Sequence, residues 1–242
     1  MNYKLCIKNL TLSFGSRILI ESASTSFPGS SLTSLIGRNG TGKSTLLRAI
    51  AGLNLHYSGK IYLAGNDLRT MHPNKLARTL AFVSTRPARI PAMKCRDIVA
   101  MGRAPYTNWI GSMQKEDEDI VMESIKSVGM LDYADRIIGT MSDGECQRIM
   151  IARALAQDTP IILLDEPTSF LDMPSRYELV GLLSTLAHEK GKCIIFSTHE
   201  LDIATKFTDS VALIDTPALI HLPSPDFLSA GHLSRLFPNL PL

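Results

Sequence analysis

The sequence predicts an α/β domain in which a mostly parallel sheet alternates with helices, an antiparallel β layer comes first, and a helical stretch interrupts the middle. Three observations carry this. Leu32–Ile36, Ile161–Leu164 and Cys193–Phe196 are short apolar runs without alternation, as in strands buried on both faces, and each leads straight into a polar motif. Helical patterns lie between them, as right-handed crossovers between parallel strands require. The first residues alternate instead, with Tyr3, Leu5 and Ile7 on one face and Lys4, Cys6 and Lys8 on the other, the period of a half-buried strand.

Further strands are expected at Leu10–Phe14 and Arg17–Ile20, broken by Gly15-Ser16, and at Lys60–Ala64, which runs into the turn-forming Gly65-Asn66-Asp67. Residues from Pro87 to Gln157 are helical in pattern. Within them Glu116-Asp117-Glu118-Asp119 opens a helix that places Ile120, Val121, Ile125 and Val128 inside and stops at Gly129. The acidic run reads as a solvated first turn complementing the helix dipole, with a docking surface as the other reading. All 242 residues fit a single domain, sheet-bearing over about 1–86 and 158–242 and helical over about 87–157. In such sheets ligands gather at the carboxyl ends of the strands, where the polar motifs fall.

Apolar residues make up 45% and charged residues 20%, which excludes a disordered chain, and a net charge of +2 gives no case for nucleic acid as a partner. Cys6, Cys95, Cys146 and Cys193 are scattered without the paired spacing of a zinc site or disulfide framework, which suits free thiols in a reducing compartment. The first residues lack the apolar stretch of a signal peptide, and no run approaches the ~20 apolar residues of a membrane span. Any membrane-crossing part is expected on another chain.

Gly37-Arg38-Asn39-Gly40-Thr41-Gly42-Lys43-Ser44 matches G-x-x-x-x-G-K-[ST] at every fixed position, after an expected strand and before an expected helix carrying Leu46, Leu47 and Ile50. Glycines let successive backbone N–H groups face phosphate oxygens, and the helix N-terminus adds its positive end. Lys43 brings a charge to the β- and γ-phosphates, and the Ser44 hydroxyl can ligate Mg²⁺. Asp165 and Glu166 follow the apolar run Ile161–Leu164. Neighbours on a strand face opposite ways, so the two carboxylates have separate tasks: Asp165 to hold Mg²⁺ and Glu166 to orient or deprotonate an attacking water. Ser142-x-x-Glu145 reads as a capping box opening a helix through Gln157, a helix start that can also receive an anion.

In order and spacing these motifs resemble the ABC ATPase family over about residues 3 to 225. The phosphate loop extends through Thr45, Met141–Glu145 is similar to the Leu-Ser-Gly-Gly-Gln signature, and Ile161–Glu166 to the Walker B strand. Ser169-Phe170-Leu171-Asp172 resembles the D-loop, His199 the switch histidine, and Phe14 the aromatic residue that stacks on adenine. The resemblance implies a P-loop NTPase (RecA-like) core with an antiparallel β subdomain and a helical signature subdomain. It implies ATP and Mg²⁺ as cofactors and two copies packed head to tail. Each ATP would lie on one copy's loop and under the other's Ser142 and Gly144, with His199 at the γ-phosphate and Asp172 linking the sites. It also implies separate permease subunits, an external substrate-binding protein and a place at the cytoplasmic face of the membrane. Arg96–Tyr106 is similar to the corresponding segment of importers of metal chelates such as siderophores, haem or cobalamin.

Three places depart from the family pattern. Thr85 stands where a glutamine normally reaches the metal and the attacking water. The signature has Asp143 and Glu145 for Gly and Gln, so Asp143 is expected to point outward, and the tail after Asp215 lacks the usual glycine turn. A soluble ABC ATPase of the iron–sulfur assembly type and an ATP-binding regulator with weak hydrolysis are the alternative functions.

Overall fold

The computed structural model describes residues 3–85, 90–107 and 113–229. Its elements in chain order are β1 (Tyr3–Phe14), β2 (Arg17–Pro28), β3 (Ser31–Gly37), α1 (Lys43–Ile50), β4 (Tyr57–Leu63), β5 (Asn66–Asp67), α2 (Pro73–Ala77), β6 (Leu80–Val83), α3 (Cys95–Ala100), α4 (Lys115–Ser127) and α5 (Asp143–Ala156). They continue as β7 (Ile161–Leu164), α6 (Met173–Glu189), β8 (Cys193–Ser197), α7 (Leu201–Lys206), β9 (Ser210–Asp215), β10 (Ala218–Pro223) and α8 (Ser224–Ser229). A six-stranded sheet has the order β10-β9-β3-β8-β7-β6, and a four-stranded one the order β2-β1-β4-β5. The second sheet is antiparallel, whereas the first is parallel except for its edge strand β10. The carboxyl ends of β3, β8, β7 and β6 therefore share one edge.

The pleat explains why the central runs lack alternation. On β7, Ile162 and Leu164 pack with α3, α4 and α5 through Ile98, Val121, Ile125 and Ile149. Ile161 and Leu163 face the other way, toward Leu46, Leu47 and Ile50 of α1 and Leu5, Ile7 and Ile61 of the antiparallel sheet. β8 does the same with Ile194 and Phe196 on one side and Cys193 and Ile195 on the other. Both faces exclude water, so every position is apolar. One set of strands thus serves two cores, one shared with the helical stretch and one with the β layer.

Several expectations are corrected. The first two expected strands are one: Asn9, with φ 49°, absorbs a register shift between Ile7 and Leu10, so β1 bulges and continues. β2 runs well past Ile20, bending at Ser22, which has φ 47°. The acidic run is not wholly solvated. Glu116, Glu118 and Asp119 are exposed, but Asp117 is buried, accepts from the Gln114 backbone N–H at 3.1 Å, and pairs with Arg103 Nε at 2.9 Å. Those bonds hold its carboxyl below the usual range. After Asp215 the chain turns through Thr216-Pro217 into β10 instead of using a glycine turn.

The hairpin ties the sheets together. His221 on β10 hydrogen-bonds Thr25 Oγ1 of β2 through Nδ1 at 2.8 Å and Ser210 Oγ of β9 through Nε2 at 2.9 Å, and stacks on Phe27 at 4.5 Å. Burial pushes its pKa down to about 4, well under the 6.5 of a free imidazole. The folded state thus favours the neutral ring, and its contribution is complete above pH 6.5 and lost as pH falls toward 4. Urea titrations should show stability falling by ~3 kcal/mol over that window, and by less in His221→Gln. Equal losses in both proteins would contradict this.

Candidate functional site

Three strand ends meet at the common edge. The loop from Gly37 to Lys43 follows β3, and its shape depends on glycine at two crowded places. Gly37 has φ 155°, and an added Cβ would lie 2.7 Å from Thr41 Oγ1 and 2.8 Å from Ile214 O. Gly42 has φ 106°, caps α1, and leaves no room for a Cβ against Leu19, 2.9 Å away. The turn between them closes as Thr41 donates to Arg38 O through its N–H at 3.3 Å and its hydroxyl at 2.9 Å. Arg38, Asn39 and Gly40 are exposed, Thr45 is half-buried, and Lys43 is folded in, with Nζ donating to Gly37 O at 2.9 Å. Burial lowers its pKa, opposed by the charges of Glu166 and Asp165.

Asp165, buried at the end of β7, accepts on one oxygen from Ser44 Oγ at 3.0 Å and from Ser197 Oγ at 2.7 Å. Glu166 follows in the left-handed region, with φ 49°. Its N–H donates to Ser197 Oγ at 2.8 Å, and Ser169 Oγ donates to its carboxylate at 3.1 Å. A left-handed backbone is costly for a residue with a Cβ, and here those bonds on either side hold it. The side chain consequently reaches a cleft of about 440 Å³ lined by Phe14, Arg17, Asn39, Gly42, Lys43 and Ser44. Phe14, at the end of β1, is 73% exposed there. His199 is exposed just past β8, in an adjoining cleft with Gly37, Arg38, Asn39 and Thr198.

The other sequence-predicted residues stand apart from this cleft. Ser142 is the exposed N-cap of α5; its Oγ accepts from Glu145 N–H at 3.3 Å, and Glu145 Oε2 accepts from Ser142 N–H and Oγ, each at 2.8 Å. Those bonds lower the Glu145 pKa. The expected capping box is present, and Asp143 is exposed. Gly144 is required by a close approach, since a Cβ there would lie 2.9 Å from Phe170 O. The signature turn therefore rests on the segment before Asp172, which caps α6 by accepting from Ser175 N–H at 3.0 Å. Neither Ser142 nor Gly144 hydrogen-bonds the phosphate loop of its own chain. Thr85 is half-buried two residues beyond β6, and the residues after it lie outside the described ones.

A family profile described as ABC transporter matches residues 20–169, from β2 through the carboxylate pair. The chain belongs to the ABC transporter family. It is similar to the iron(3+)-hydroxamate import ATP-binding protein FhuC of Bacillus subtilis (strain 168), 34% identical over 204 residues that cover 84% of this chain and 76% of that protein. Among solved structures it resembles an ABC transporter of metal-chelate type in an inward-facing conformation, at 26% identity and a TM-score of 0.85, covering 98% of this chain and 90% of that one. It also resembles a dimeric ATP-binding cassette in a post-hydrolysis state with ADP and Pi, at 25% identity and a TM-score of 0.79, covering 91% and 98%. As a member of this family the chain is an ATP-binding subunit and an ATPase. Among the described residues no helix is long and apolar enough to cross a membrane.

Sequence reasoning about this ABC ATPase missed the supports of the carboxylates. Ser197 binds both Asp165 and the Glu166 backbone. Glu200 accepts from Thr168 Oγ1 at 2.8 Å and pairs with Arg176 at 3.3 Å, while Arg176 Nε donates to Leu171 O at 2.8 Å. The segment around Glu166, the D-loop and the residue after His199 are thereby one network. The available signal was that Ser197 closes β8, next to β7 in a parallel sheet. Ser197→Ala leaves the buried Asp165 carboxylate and the half-buried Glu166 N–H short of a partner, and chemical denaturation should show a loss of ~1–3 kcal/mol, with slower ATP turnover. A variant as stable and active as the wild type would contradict the arrangement.

Proposed function

We propose that the chain is the ATP-hydrolysing subunit of an importer of metal chelates of the iron-siderophore, haem or cobalamin class. One observation carries the catalytic half: the phosphate loop, the Ser44–Asp165 pair and Glu166 converge on one cleft. The name of the 34% identical relative supports the iron-chelate half. We read residues 1–242 as a single domain, with the helical part at about 87–157.

In this reading the amides of Gly40–Thr45 and the Lys43 ammonium bind the phosphates, and Phe14 stacks on adenine. Ser44 Oγ and Asp165 Oδ1, two hard oxygen donors 3.0 Å apart, suit a small divalent cation, and Thr85, at the position of the family's glutamine, would coordinate it through a water. Mg²⁺ held there would neutralise charge on the β- and γ-phosphates. Glu166 takes a proton from water as its oxygen bonds to the γ-phosphorus, while the bond from that phosphorus to the ADP oxygen breaks. His199 steadies the γ-phosphate. Ser142 and Gly144 complete the site from a second copy, and Asp172 connects the two sites. Separate permease subunits and an external substrate-binding protein complete the machine, with this subunit at the cytoplasmic face of the membrane.

Thr85 favours one other reading, an ATP-binding regulator with weak hydrolysis, because its hydroxyl is about two bonds shorter than a glutamine amide. Phosphate release decides between them. The proposal expects Lys43→Ala to abolish ATP binding and Glu166→Gln to bind ATP while turnover drops by about a hundredfold or more. Wild-type protein as inactive as Glu166→Gln in complex with its permease would favour the regulator. Unchanged ATP affinity in Lys43→Ala would overturn the site.

A further inference from the structure

The segment that carries the likeness to metal-chelate importers does not line the nucleotide cleft. It grips the far end of the signature helix. The last carbonyls of any helix lack intrahelical partners and carry its negative end. At the end of α5, Arg103 Nη1 donates to Ala156 O at 2.8 Å and Tyr106 Oη donates to Gln157 O at 3.0 Å. Gly102 permits this approach, because a Cβ there would lie 2.4 Å from Arg153 O.

The grip is anchored on both sides. Buried Asp117 at the start of α4 pairs with Arg103 Nε at 2.9 Å, so the arginine carries its counter-charge into the interior. The Tyr106 ring lies against two guanidinium groups, 4.1 Å from that of Arg103 and 4.9 Å from that of Arg78. Arg78 Nε and Nη2 donate to Pro105 O at 2.9 and 2.6 Å. Gln157 Nε2 donates to Ala77 O at 2.6 Å and to Leu80 O at 3.0 Å, fastening the helix end to α2 and to the first residue of β6. The strand held in this way leads to Thr85. The helix held in this way begins, about 20 Å away, at the cap formed by Ser142.

We propose that Arg103, Tyr106 and Gln157 form a positioning clamp on the C-terminal end of α5 that sets where Ser142 meets ATP across the dimer, an inference that rests on the composite site proposed above. A helix fixed at one end and packed along its length delivers its other end to one place. Loosening the clamp therefore degrades the meeting of Ser142 with nucleotide without touching the phosphate loop.

ATP-driven self-association of the full-length chain, followed by sedimentation, tests this. Tyr106→Phe keeps the ring and removes only the bond to Gln157 O. It should leave the ATP affinity of the dilute chain unchanged and weaken ATP-driven association about fivefold. Combined with Ser142→Ala it should weaken association no further than Ser142→Ala alone, because both act through the same hydroxyl. Arg78→Ala, a change at an exposed residue, should behave in the same way. Wild-type association in Tyr106→Phe and Arg78→Ala, or losses that multiply in the double variant, would overturn the clamp. Wild-type association in Ser142→Ala alone would instead overturn the composite site.

Discussion

One oxygen of Asp165 accepts hydrogen bonds from Ser44 on α1 and Ser197 on β8, and the site depends on that junction. The carboxylate is buried, so it is stable there only with such partners. Parallel topology supplies them, because it brings the ends of β3, β7 and β8 to one edge. Through Ser197 the junction also reaches the Glu166 backbone and helps to hold its left-handed turn. The same few bonds therefore relate the phosphate loop, the acidic strand end and the strand leading to His199.

Two cores hold this junction from opposite sides. Alternate residues of β7 and β8 pack against the helical stretch and against the β layer, so neither part can shift without disturbing the strands that end at the site. The β layer is fastened again at its far side by His221, which spans β2, β9 and β10. The helical stretch is fastened at Gly144 against Phe170 and at Gln157 against α2 and β6. Both contacts involve the helix that carries the signature turn.

What was legible in the sequence was written locally. The phosphate loop needs its glycines and lysine at fixed spacing, the central strands show their burial as unbroken apolar runs, and Ser142 and Glu145 make a cap within one turn. What was missed depends on partners distant in the chain. Asp117 reads as solvated until Arg103 is brought to it across 14 residues, and Ser197 reads as an ordinary strand end until β7 lies beside it. The bulge at Asn9 hides the continuity of β1, because a register shift interrupts the pattern without ending the strand. Thr85 was legible as a departure, and it lies half-buried two residues beyond β6.

In the proposed function this chain holds half of each ATP site and a second copy holds the rest. Mixing two disabled variants tests it most directly: Lys43→Ala, which lacks the phosphate charge, and Ser142→Glu, which sets a carboxylate against phosphate. A mixed pair contains one intact site, made from Lys43 of one copy and Ser142 of the other. Sedimentation with ATP should show mixed dimers at equal composition while each variant alone stays monomeric. A mixture that stays as monomeric as its components would contradict the account.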